Sequence, residues 1–256
     1  MTQAPAKLGT YRTGFEALRQ ESEATDPQWL RDLRQVAWSR FNKLGFPTAR
    51  RGNEKWKYTN VRPLAAANFE NPPAAGVPEN ITVGDLRHTA PWNDSWTNLV
   101  FLDGHFARHL SSDTNTASQV GITSLADAIA SENPVLQSQL AKHATVDDDG
   151  FTALNTAFLQ DGALIDVPAG HIASDPVHLI FVTTGQQDHT ASYPRTLLIA
   201  RANSRITVLE SYISLAESSY FTNAVTEFVL EDGSQVEHYR LLLENADAFH
   251  VGTMRV

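Results

Sequence analysis

The stretch Phe151–Val256 constrains the fold more tightly than any other part of the chain. Apolar and β-branched runs recur there: Ala163–Val167, Val177–Thr183, Thr196–Ala200, Ile206–Ser211, Val225–Leu230 and Gln235–Leu243. Turn clusters such as Pro168-Ala169-Gly170, Thr184-Gly185, Ala202-Asn203-Ser204 and Glu231-Asp232-Gly233-Ser234 separate them. In Gln235–Leu243 the alternation is explicit: Val236, His238, Arg240 and Leu242 share one face, and Gln235, Glu237, Tyr239, Leu241 and Leu243 the other. This patterning predicts strands, and no intervening segment is long enough for a crossover helix. A doubly wound α/β sheet is thereby excluded, leaving a sandwich, a barrel or a β-solenoid. Runs that are apolar on both faces, Leu197-Leu198-Ile199 and Phe228-Val229-Leu230, favour a sheet covered on both sides, as in a β-helix. The final residues, His250 to Val256, read as the start of a strand without a polar cap. The chain is therefore expected to be part of a longer solenoid, incomplete at its C-terminus and with an open strand edge.

Composition narrows the function. The net charge of −9 argues against a nucleic-acid binder, and the absence of cysteine removes thiolate catalysis, disulfides and cysteine-held metal from these residues. Neither a signal-peptide apolar region nor an apolar window of about 18 residues is present, so a cytoplasmic protein without membrane contact is expected.

The N-terminal half reads as helical. Tyr11–Ala24 suits a helix with Phe15 and Leu18 on one side. A second is predicted from Asp26 as cap and Pro27 at the first helical position, with Trp29, Leu30, Leu33, Val36, Ala37, Phe41 and Leu44 as its packing stripe and Gly45 as its end. Gly45–Thr59 combines four basic residues and three aromatics. Arg50, Arg51, Lys55, Trp56, Lys57 and Tyr58 would suit RNA stacking, but Glu54 and the acidic total favour a loop pinned by Phe46, Trp56 and Tyr58 with solvated lysines. Leu64–Glu79, rich in Ala, Pro and Asn, reads as a linker or an irregular crossing segment. Leu99-Val100-Phe101-Leu102 followed by Asp103-Gly104 predicts a hairpin. His105 and His109 lie four apart, about 13 Å on a strand, too far to share a metal. Ile122–His143 reads as helix, with a capping-box pattern at Ser124 and Asp127 and a restart at Asn133-Pro134. Asp147-Asp148-Asp149-Gly150 reads as a solvated turn rather than a calcium loop. Three regions result: a helical domain (1–62), a linking α/β segment with a hairpin and two short helices (63–150), and the first part of a β-helix core (151–256).

No nucleophile elbow, P-loop or dinucleotide fingerprint occurs. His171, His178, His189, His238 and His250 lack ligand spacing and are expected on surfaces or in turns. Asp161, Asp166, Asp175, Glu210, Glu227, Glu231 and Glu237 would have to supply the carboxylate pair of a solenoid enzyme acting on polysaccharide, the alternative function. The residues alone single out no catalytic, cofactor-binding or metal-binding group.

Two segments carry a resemblance. Gly45-Phe46-Pro47-Thr48 with Asn53-Glu54-Lys55-Trp56-Lys57-Tyr58-Thr59 resembles the N-terminal signature of the SufB/SufD family of the SUF iron–sulfur cluster assembly system, on its SufD side. Phe151–Asn155 with Asp161–Gly170 is similar to the entry into that family's β-helical core, and Pro176–Leu179 and Arg201–Ser204 continue it. The resemblance implies a non-enzymatic scaffold that pairs with a SufB-like paralogue through the β-helix, recruits a SufC-like ABC ATPase, and handles an iron–sulfur cluster only transiently in the full complex. The family's suspected cluster-proximal cysteine and histidine, and its ATPase-binding helices, lie in later parts of the fold, so no ligand is carried over to these residues. Alone, the chain is expected to pair with itself through its open edge.

Overall fold

The computed structural model describes residues 9–47, 54–71, 78–113, 119–215 and 217–256. Helices α1 (Gly9–Glu21), α2 (Gln28–Leu44), α3 (Arg62–Ala66) and α4 (Val83–Arg87) precede strands β1 (Thr97–Leu102), β2 (His105–Phe106) and β3 (Gly121–Ser124). Helices α5 (Leu125–Ala130), α6 (Pro134–Gln139) and α7 (Gly150–Ala157) follow. The chain then continues as β4 (Gly162–Val167), β5 (Val177–Thr183), β6 (Thr190–Ser192), β7 (Arg195–Ala200), β8 (Arg205–Ser214), β9 (Tyr220–Leu230), β10 (Gln235–Leu243) and β11 (Phe249–Arg255).

From β4 onward the chain alternates between two sheets, so that β4–β5, β7–β8 and β9–β10 form three coils of a β-helix. One sheet runs β10-β8-β5-β1-β2, and the other β11-β9-β7-β4-β3 with β6 beside β9. Coil-to-coil pairing is parallel and in register, as in Ile206 opposite Val236 and Leu198 opposite Phe228. Among the described strands, the antiparallel pairs are β2 on β1 and β3 on β4. The hairpin at Asp103-Gly104 forms as expected, and its first strand joins the solenoid parallel to β5.

Alternation decides what each face meets. Leu99, Ile165, Leu179, Leu198, Ile206, Val208 and Phe228 point between the sheets and are buried there. Leu164, Leu197 and Ile199 point the other way and meet Leu30 of α2 and Leu125, Ile129 and Leu136 of α5 and α6. Val100, Ile180 and Ile213 are covered by Leu86 of α4 and by Leu110. Helical cover on both sheets explains strands that are apolar on both faces; each fully buried Leu or Ile contributes about 1.5–3 kcal/mol.

The helical layer departs from the sequence reading in four places. Pro27, not Asp26, stands at the α2 N-cap, with no side-chain bond. The Asp26 carboxylate instead accepts from Arg34, whose Nε also donates to Leu159 O at 2.8 Å. Neutralised in this way, Arg34 turns inward beside Trp38 and Phe41, while Val36 and Leu44 stay exposed. Second, Gly121–Ser124 is a strand; the helix starts after Ser124, whose Oγ accepts from Asp127 N at 3.0 Å. Third, only Asp147 of Asp147-Asp148-Asp149 is solvated as expected, and all three are tied: exposed Asp147 pairs with Arg40 at 2.6 Å, Asp148 with Arg255 at 3.0 Å, and Asp149 caps α7 through Thr152 N at 2.9 Å. Fourth, residues 151–157, expected as the start of the β region, belong to the helix α7 (Gly150–Ala157), whose eight residues are all buried. A helix buried all round carries no amphipathic period, so its Phe-Thr-Ala-Leu run reads equally as strand. Its first residue has to be glycine, because a Cβ on Gly150 would lie 1.9 Å from the backbone oxygen of Gly45.

The linker expected over 64–79 contains the end of α3 and a bridge from Glu70 to Thr190; residues 72–77 lie outside the described residues. No described helix is long and apolar enough to cross a membrane.

Candidate functional site

In β8, β9 and β10, the face that elsewhere buries aliphatic groups becomes charged. Ile206, Val208 and Tyr212 point between the sheets, and period-2 alternation places Glu210 among them; Thr226 of β9 and His238 and Arg240 of β10 follow by the same rule. Glu210 is fully buried. It accepts from Thr226 Oγ1 at 2.9 Å, from Arg240 Nε at 3.0 Å and from Arg240 Nη2 at 2.8 Å. His238 Nε2 lies 3.4 Å away, as does the Tyr212 hydroxyl. Burial alone would raise this carboxyl, but the adjacent His238 imidazole and the Arg240 guanidinium together hold it at about 2.

Beside it lies a second acid, Glu244, 2.9 Å from His250 Nδ1 and 3.2 Å from the Tyr220 hydroxyl. The Tyr212 and His250 rings meet edge to face at 4.6 Å. Burial pushes the Tyr212 and Tyr220 phenols up, so both stay protonated hydrogen-bonding groups.

A pH prediction follows from Glu210. Its folded value of about 2 lies below its ordinary value of 4.5, so its contribution is complete above pH 4.5 and disappears as pH falls through about 2. That displacement corresponds to about 3 kcal/mol. Urea unfolding from pH 6 to pH 2 should show the stability difference between wild type and Glu210→Gln shrinking across this window; a pH-independent difference would refute the assignment.

On the opposite face of β7 and β9, beneath α7, lies a second buried pair. Arg195 and Glu227 are both fully buried and 2.6 Å apart. Glu227 also accepts from Ala141 N, His143 N and Ala144 N, each at 2.9 Å. Arg195 Nη1 reaches Asn155 Oδ1 at 2.9 Å and Thr156 Oγ1 at 3.2 Å, and its Nη2 reaches Ala144 O at 3.3 Å. Every group of this pair is engaged by the protein itself, so it fastens α7 and the 141–144 loop to the sheet.

The other acids are likewise held. Asp161 accepts from Phe106 N at 2.8 Å, Ala126 N at 3.0 Å and Gly162 N at 2.8 Å, joining the hairpin, α5 and β4; burial nonetheless pushes it up to about 6. Arg201 takes Asp166 in a two-bond fork at 2.9 and 2.8 Å and approaches Glu231 at 3.6 Å. Glu237 pairs with Arg205 at 2.8 Å, and Asp175 with Ser174 on an exposed turn. The acids named for glycoside cleavage are thus spread through three coils and bound to arginine, hydroxyl or backbone N–H, with Asp166 and Glu231 sharing Arg201.

The histidines differ from the surface expectation. His189 stays exposed in a turn, but His178 is fully buried, with Nε2 2.8 Å from Ser211 Oγ, and burial pushes it down to about 4. His238 and His250 line the interior. His109 sits in a short 3-10 turn after β2, and no cluster of three metal-ligating side chains exists among the described residues. Of the basic loop, Arg50 and Arg51 lie outside the described residues. Phe46 and Trp56 pin it, with Trp56 half-buried 5.1 Å from the Phe151 ring, whereas Tyr58 is 90% exposed and pins nothing. The signal for the interior network was present in the alternation: His238 and Arg240 share the face of Val236, which in neighbouring strands is aliphatic.

These features define a parallel β-helix protein with an α-helical N-terminal cover and a neutralised charged network inside its coils. The chain belongs to the SufBD family: residues 7–179 match the SufBD protein N-terminal region, and residues 181–256 match the SUF system FeS cluster assembly SufBD core domain. It is 28% identical over 253 residues to an iron–sulfur cluster assembly SufBD family protein of Synechocystis, covering 94% of this chain and 54% of that one. It is 27% identical over 244 residues to the iron–sulfur cluster assembly protein SufD of Escherichia coli, covering 92% and 50%. To SufD of Bacillus subtilis it is 24% identical over 217 residues, covering 83% and 48%. The chain spans about half the length of the curated relatives it matches.

Proposed function

We propose that the protein is a non-catalytic scaffold component of iron–sulfur cluster assembly, pairing with a SufB-like paralogue and a SufC-like ABC ATPase. The observation that carries this reading is the ordered match to both the N-terminal region and the core of the SufBD family. The cluster is cargo of the assembled complex rather than a resident group, which accords with acids already engaged by arginine and backbone N–H. A cytoplasmic site of action, away from membrane and nucleic acid, fits the net charge of −9.

Affinity purification of the tagged protein from its own cells, read by intact-mass and peptide mass spectrometry, tests the proposal. A SufB-like paralogue and an ABC-type ATPase should arrive with it in stable proportion. Recovery alone under gentle lysis would refute the scaffold assignment.

A further inference from the structure

One surface stands apart from the charged interior. Residues 54–62 carry Lys55, Lys57 and Arg62, all exposed, around Tyr58, which is 90% exposed. The Lys57 ammonium stands 5.2 Å from the centre of the Tyr58 ring, and Glu54, 3.6 Å away, is itself exposed. The nearby acids before α7 are engaged elsewhere, Asp147 by Arg40, Asp148 by Arg255 and Asp149 by its own helix. The segment is also held in place: Trp56 packs on Phe151, Thr59 N donates to Trp56 O at 3.1 Å, and Arg62 N donates to Asn60 Oδ1 at 3.2 Å.

A pinned segment presenting a bare aromatic ring between cations is a local exception on a chain of net charge −9. We infer that residues 54–62 form a docking surface for an acidic peptide segment of a partner protein, with Tyr58 packing against the peptide and Lys55, Lys57 and Arg62 meeting its carboxylates. Burying the ring supplies contact area at little conformational cost, and the cations steer an acidic segment toward it. The chemistry favours peptide over nucleic acid. A single exposed ring offers one stacking platform rather than the track along which a nucleic acid stacks.

The test uses the purified 256-residue protein and fluorescence anisotropy with labelled 12-residue probes: a Glu-rich peptide containing Leu and Phe, a Ser/Gly peptide of equal length, and a uridine oligonucleotide. The Glu-rich peptide alone should bind at 50 mM salt, and binding should weaken roughly tenfold at 300 mM. Tyr58→Ala and the triple change Lys55→Glu, Lys57→Glu, Arg62→Glu should each weaken it about tenfold or more while leaving thermal unfolding unchanged. Peptide affinity indifferent to both variants would overturn the inference. So would tighter, lysine-dependent binding of the oligonucleotide, which would assign the surface to RNA. Self-association abolished by the same substitutions would assign it to a second copy and overturn it likewise.

Discussion

Arg195→Met is expected to cost about 3–5 kcal/mol in urea unfolding at pH 7. Glu227 would be left fully buried without its cation. Its three backbone N–H donors would remain, but the charge of Arg195 is the main influence that holds the Glu227 carboxyl below its ordinary range against burial. Asn155 Oδ1, Thr156 Oγ1 and Ala144 O would lose their donor in the same step, loosening α7 and the 141–144 loop together. The double variant Arg195→Met, Glu227→Met should recover part of the loss, because two apolar side chains of similar volume leave no buried charge uncompensated. A loss below 1 kcal/mol for the single variant, or a double variant much worse than either single one, would show that the pair does not bear on stability in this way.

Phe151→Ala is expected to cost about 3–5 kcal/mol through the cavity it leaves. The ring is fully buried at the meeting point of the helical layer and the second sheet, 5.5 Å from Phe46, 5.1 Å from Trp56 and 6.2 Å from Phe221. Its neighbours are fastened by other means, including the Asn223 side chain donating to the Phe151 carbonyl at 2.9 Å, so the site cannot collapse freely. Phe151→Leu should lose far less, keeping most of the apolar volume. Equal losses for Ala and Leu would mean that ring packing does not dominate there. Fluorescence of Trp56 should report the same change locally, since that ring rests on Phe151.

Local pattern was sufficient for the strands. Six runs between 163 and 243 alternate or are apolar throughout, and each coincides with a strand of the β-helix. The observed β9 starts earlier than its apolar run, at Tyr220, because Thr222 and Asn223 interrupt the pattern; Asn223 is nevertheless buried, paired through its backbone oxygen with Asn155 and through its side chain with Phe151. Polar residues whose partners lie some 70 positions away carry no local sign of burial. Asp26, whose partner is only eight positions away, likewise looks like a helix cap until Arg34 is found folded inward beside it.

The chain's own order of residues therefore determined the class of fold, the two-sided cover of the strands and the family, since hydrophobic period and short ordered motifs are properties of neighbours in sequence. The tertiary structure alone decided which charges face each other. Glu210 meets Arg240 only because β8 and β10 stack in register, and Glu227 meets Arg195 only because β7 and β9 do. Whether a carboxylate is a solvated surface group, a clamp or part of an interior network depends on burial and on partners some 30 to 85 residues distant, and electrostatic energy follows distance in space rather than separation along the chain.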